Sequence, residues 1–199
     1  MKPSNRLWLA VACAVGIAFP LAGLWHELAE RAPSAGKPDR RDFTLSDVDG
    51  KDVTLATFGG KWVLLYFGYT FCPDICPTSL QVMGEVADTL RARGEAMQPV
   101  FITVDPERDT PQVLRDYVSN FGGAIVGLTG SIEQIGGATR RYGTFFQKQP
   151  MPNGSYMMNH SSGFSLISPK GAYVRVFRSD LEANELFPEV EEAMHAWKD

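Results

Sequence analysis

The feature that most constrains this chain is a continuous apolar run, Trp62-Val63-Leu64-Leu65-Tyr66-Phe67. It gives way within five residues to Cys72-Pro73-Asp74-Ile75-Cys76 and then to a helix-patterned stretch. A run without polar alternation reads as a strand buried on both faces, the kind found at the centre of a sheet. Over residues 77–93, Leu80, Met83, Val86 and Leu90 recur every three or four positions, which predicts a helix with one apolar face, ended by Gly94. The two cysteines therefore lie where a buried strand hands over to a helix N-terminus, and there the dipole lowers the pKa of a thiol. If helical structure reaches back over the motif, the four-residue offset sets both sulfurs on one face, able to share an ion or to close a disulfide. Two thiolates are soft ligands that suit Cu(I) and equally serve zinc.

The surrounding pattern predicts an α/β domain. Phe43-Thr44-Leu45 and Val53-Thr54-Leu55 flank Asp49-Gly50 and read as a β-hairpin. Val100-Phe101-Ile102-Thr103-Val104 is a second buried strand. The polar loop 105–109 follows, then a helix that Thr110 caps and Pro111 opens. A helix over 132–142 leads to a loop rich in Pro, Met, Asn and Gly, and then to a strand over 163–167. Pro169-Lys170-Gly171 turns that strand into another over 172–177, and an amphipathic helix over 185–197 closes the chain. Strands alternating with helices, with an antiparallel hairpin late in the chain, predict a mixed β-sheet flanked by helices on both faces. The aromatic residues Tyr66, Phe67, Tyr69 and Phe71 read as core and pocket lining.

The N-terminus is of another kind. Lys2 and Arg6 precede an uncharged run over residues 7–25. As a helix that run spans about 28 Å, close to the bilayer hydrocarbon thickness. No small-x-small cleavage site follows it, and Trp25, His26 and Glu27 are poor cleavage-site residues, so it is read as an uncleaved transmembrane anchor. The positive charges of Lys2 and Arg6 hold residues 1–6 in the cytoplasm and turn the domain outward. Residues 26–41, small, proline-containing and charged, read as a linker, and the domain occupies 42–199. Cys13, inside the apolar run, is assigned no role. A formal net charge of -4, with no basic run after the N-terminus, argues against a nucleic-acid partner.

The chain has three histidines. His26 adjoins the anchor and His195 sits on the final helix, which leaves His160, in Met157-Met158-Asn159-His160-Ser161-Ser162, as the candidate third ligand. Its distance along the chain from the cysteines means that spacing alone does not join them.

The stretch Tyr66-Phe67-Gly68-Tyr69-Thr70-Phe71-Cys72-Pro73-Asp74-Ile75-Cys76-Pro77 resembles the signature of the Sco/SenC family, which helps to assemble the copper centre of cytochrome c oxidase. Residues 104–111, Val-Asp-Pro-Glu-Arg-Asp-Thr-Pro, resemble the second family block, and His160 ahead of a strand resembles the third. The resemblance implies a thioredoxin-like fold over the domain, with Cys72 and Cys76 matching the family's copper thiolates and His160 its imidazole ligand. It also implies a metallochaperone delivering copper, as Cu(I) or Cu(II), to cytochrome c oxidase subunit II or another copper protein. With the N-terminal anchor, the expected location is the inner membrane, the domain facing the periplasm. The alternative is a thiol-disulfide oxidoreductase that uses Cys72 and Cys76 as a redox pair, with a possible disulfide, to reduce the target's cysteines. Asp105 and Asp109 match a family loop near the site. Many relatives place an aspartate before the ligand histidine. Asn159 stands there in this chain and removes a negative charge beside the site.

Overall fold

The computed structural model describes residues 41–198. The run that opens the motif is β3 (Trp62–Gly68), buried at every position after Trp62. It lies inside a seven-stranded sheet of order β2-β1-β5-β4-β3-β8-β9. Its parallel neighbour is β4 (Met97–Thr103), which pairs in parallel with β5 (Val126–Thr129). On its other side lies β8 (Phe164–Ile167), antiparallel to β3 and to β9 (Tyr173–Phe177). β1 (Leu45–Asp47) and β2 (Asp52–Val53) form the expected N-terminal hairpin, shorter than the pattern predicts because Leu55 already begins a 3-10 turn.

Helices α1 (Ile75–Ala92), α2 (Pro111–Val118), α3 (Ile132–Arg141) and α4 (Ala183–Ala196) flank the sheet. Successive side chains of a strand point to opposite faces, and β3 shows this directly. Tyr66 meets Phe101 and the Cys76 sulfur at the start of α1, whereas Phe67 meets Tyr142 at the end of α3. The Thr110 side chain accepts from the Val113 N–H and caps α2, with Pro111 at its first turn, as the sequence predicts. Ser131 and Gln134 form a capping box on α3.

Two differences from the sequence pattern bear on the site. Helix α1 begins at Ile75 rather than at Pro77, so Cys76 lies within its first turn. The segment before His160, expected as a loop, is a hairpin: β6 (Phe146–Pro150) pairs antiparallel with β7 (Tyr156–His160), apart from the main sheet. Its strands carry too little apolar alternation to be recognised, since residues 147–150 are all exposed. The turn is stabilised by Gly154 at φ 80° and by the Asn153 side chain, which accepts from the Ser155 N–H at 3.0 Å. β5, a short strand set among glycines, also lacks a legible pattern. The apolar run over 7–25, with Cys13, lies outside the described residues. Among the described residues no helix is long and apolar enough to cross a membrane.

Candidate metal centre

The site forms where the β3–α1 junction meets the end of β7. Cys76, 0% exposed, faces inward from the first turn of α1, and Cys72, 9% exposed, lies in the turn before it. Neither is in a disulfide. Hydrogen bonding from the neighbouring Cys76 thiol holds the Cys72 pKa down to about 3 against the opposing effect of burial, with further lowering by His160 and by the Asp74 and Cys76 backbone N–H groups. The same contact, together with burial, pushes the Cys76 pKa far above the thiol range. The two shifts favour a thiolate at Cys72 and a thiol at Cys76 at the mouth of a helix, which is the arrangement that activates a cysteine.

His160 ends β7, directly opposite Phe146 of β6. Its Nδ1 donates to the Ser161 carbonyl at 2.9 Å, which orients the ring and turns Nε2 toward the sulfurs, 3.7 Å from Cys76 Sγ. Because Nδ1 is committed to the Ser161 carbonyl, Nε2 is the ring nitrogen that faces the sulfurs and is free to offer a lone pair to a metal. The Tyr69 ring stands edge-on to the imidazole, centroids 5.7 Å apart. The structure therefore brings all three candidate ligands, Cys72, Cys76 and His160, to one place.

The donors fit a soft metal ion. Sulfur and imidazole nitrogen bound to one ion at about 2.3 and 2.0 Å are separated by roughly 3.5 to 3.8 Å, which brackets the observed sulfur–nitrogen distance. Among the described residues, as they stand, no group of three His, Cys, Asp or Glu side chains is arranged to hold a metal ion. Cysteine binds a metal as its thiolate, so holding an ion through both sulfurs would require Cys76 to lose its proton.

Loop 105–109 supports both sides of the site. Asp109, 0% exposed, accepts from the Thr70 N–H at 3.0 Å, the Thr70 hydroxyl at 2.6 Å and the Thr103 hydroxyl at 2.5 Å. Burial pushes its pKa up, and these three donors oppose the shift. Asp105, 1% exposed, pairs with Arg108 and accepts from the Tyr156 hydroxyl at 2.9 Å. The sequence marks Asp105 and Asp109 and reads Tyr69 as pocket lining, but it does not single out Arg108 or Tyr156. The only signal for Tyr156 is its position four residues before His160, at the other end of what proves to be one strand. Asn159 is exposed and pairs across the hairpin with Gln147 rather than meeting the sulfurs. Met157 lies near the site through the Tyr69 hydroxyl, 3.9 Å from its sulfur.

A sequence model of the SCO1/SenC family matches residues 31–195. This chain belongs to the SCO1/SenC family. Among SCO1/SenC relatives, the mitochondrial protein SCO2 homolog of Bos taurus is 37% identical over 212 residues, a match covering 98% of this chain and 78% of the relative. The mitochondrial protein SCO1 of Saccharomyces cerevisiae is 40% identical over 145 residues, which cover 71% of this chain and only 48% of the yeast protein. A solved family structure, Arabidopsis thaliana ScoI with copper bound, superposes with a TM-score of 0.74 at 37% identity, covering 78% of this chain and 98% of that one. The mixed α/β fold, a central sheet flanked by helices, is thus the family's fold.

Proposed function

We propose that this protein is a copper metallochaperone. Cys72, Cys76 and His160 hold one copper ion as cargo and pass it to the dinuclear copper site of cytochrome c oxidase subunit II, or to another copper protein. The observation that carries this is the donor set itself: two cysteine sulfurs at a helix N-terminus with an imidazole nitrogen 3.7 Å from the second sulfur. Thiolates favour Cu(I) and imidazole accommodates either copper oxidation state. The copper-bound family structure supports the same assignment. Loading removes the Cys76 proton, so affinity weakens as pH falls. In release, an acceptor's own ligands replace these three in turn, which requires protein contact. The run over 7–25 anchors the chain in the inner membrane with the domain in the periplasm, within reach of a membrane-bound oxidase.

Equilibrium dialysis of reduced protein against Cu(I) tests the assignment. Wild type takes up one equivalent, Cys72→Ala with Cys76→Ala takes up none, and His160→Ala binds at least about tenfold more weakly. Retention of one equivalent by the double variant refutes the proposal.

A second function has its own supporting observation: a low-pKa Cys72 thiolate beside a protonated Cys76 is also the pair that attacks and resolves a disulfide. His160→Ala separates the two, because copper binding falls while exchange with a model disulfide persists if the protein is a thiol-disulfide oxidoreductase.

A further inference from the structure

An isolated two-stranded hairpin is marginally stable in water, and β6–β7, which delivers His160, joins no strand of the main sheet. Its position is therefore set by side-chain contacts, and these converge on loop 105–109. Arg108 Nη1 donates to the Tyr156 carbonyl at 3.0 Å, at the first residue of β7. The Tyr156 hydroxyl returns a bond to Asp105, which holds the Arg108 Nε. The guanidinium also lies 3.7 Å from the Tyr156 ring centroid and 4.8 Å from that of Phe71, next to Cys72. An exposed pair, Lys148 with Glu107, adds a third link to the same loop.

The far end of that loop grips the cysteine side, through Asp109 on both the backbone and the hydroxyl of Thr70, two residues before Cys72. Five consecutive residues thus hold the cysteine turn at one end and the histidine strand at the other. From this geometry we infer that Asp105, Arg108 and Tyr156 are positioning residues for the metal site, a latch that sets how far His160 stands from the two sulfurs.

The latch is not simply a source of stability. Arg108 is a half-buried cation, its side chain 20% exposed, and its Nη2 is buried with no hydrogen-bond partner among the described residues. A buried ion pair with an unmet donor adds little net stability. What it does supply is direction: a planar fork binds a carboxylate and a backbone carbonyl at once, which a flexible lysine does not reproduce.

The inference rests on the copper assignment, and its test keeps the two apart. The full chain, reduced, is compared as wild type, Arg108→Gln, Tyr156→Phe and Arg178→Ala. The readouts are Cu(I) affinity by competition with a chromophoric chelator, the sulfur-to-copper charge-transfer band of the Cu(II) form, and amide exchange of residues 156–160 in metal-free protein. Arg108→Gln and Tyr156→Phe lower affinity about 10- to 100-fold, the range for residues that orient ligands. They also shift the band and speed exchange in β7. Arg178→Ala, which breaks an exposed pair with Asp180 outside the latch, stays within about twofold of wild type. Wild-type affinity and an unchanged band in both latch variants overturn the inference, even if the variants melt earlier. Tyr156→Phe removes a single hydroxyl and keeps the test valid if Arg108→Gln fails to fold. Absence of copper binding by wild type overturns the copper assignment instead, and exchange in β7 of the metal-free variants then decides whether the latch exists.

Discussion

At the scale of single residues, two cysteines of the same type and four positions apart have opposite acid–base characters. Cys72 receives hydrogen bonds, chiefly from Cys76, and so its charged form is favoured. Cys76 gives its proton to that bond and is buried, and so its neutral form is favoured. An unperturbed thiol titrates near about 8.5. In reduced, metal-free protein carrying Cys13→Ala, which leaves only this pair of thiols, the thiolate absorbance near 240 nm therefore corresponds to about one thiolate per chain at pH 5, with no second ionisation through pH 9. Because the Cys72 pKa is depressed, its stabilising contribution is complete above the ordinary thiol pKa and drains away as pH falls toward about 3. Cys76→Ala removes the main donor and moves the Cys72 midpoint upward. Two equal ionisations near about 8.5 with Cys76 intact contradict this account. His160 acts through its second nitrogen: the bond from Nδ1 to Ser161 leaves Nε2 for the sulfurs.

At the scale of elements, the site depends on how closely β3 and α1 approach. Gly68 ends β3 directly beneath the first turn of α1. A Cβ there would stand 2.7 Å from the Phe101 ring, 3.0 Å from the Cys76 sulfur and 3.0 Å from the Tyr66 ring. These neighbours are themselves fully buried, so none yields without moving the core. Gly68→Ala is expected to cost about 1 to 3 kcal/mol of stability by overpacking, measured by denaturant unfolding. It also displaces Cys76 and weakens metal uptake. A fully stable variant with normal uptake would show that the junction has slack that the packing does not indicate. The start of α1 at Ile75 belongs to the same scale, for it places Cys76 in a helical turn and leaves Cys72 to be held by backbone N–H groups just ahead of it.

At the scale of the whole domain, the three donors come from two distant stretches of chain, and an ion that binds all of them binds the folded state alone. Binding then adds stability by mass action, about 2.7 kcal/mol when free ligand is a hundredfold above its dissociation constant. For a domain of this size that corresponds to a rise in melting temperature of about 5 to 10 °C. Thermal unfolding with and without Cu(I) checks this. The rise disappears in the Cys72→Ala, Cys76→Ala variant, and an equal rise in that variant places the binding elsewhere. The same division between local and distant contacts separates what the amino-acid pattern determined from what only folding decided. The pattern of residues 62–77 was sufficient for the central strand, the cysteine pair and the helix, because each depends on neighbours a few residues away. Thr110 with Pro111, and the helices over 132–142 and 185–197, were legible for the same reason. The β6–β7 hairpin was not, since its strands are polar and exposed and gain their place from Arg108, Asp105 and Tyr156 rather than from an apolar face. The approach of His160 to Cys76, across 84 positions of sequence, was likewise decided only by tertiary structure. Chain order carries no distance between residues that far apart. That distance is set by the loop that grips both arms.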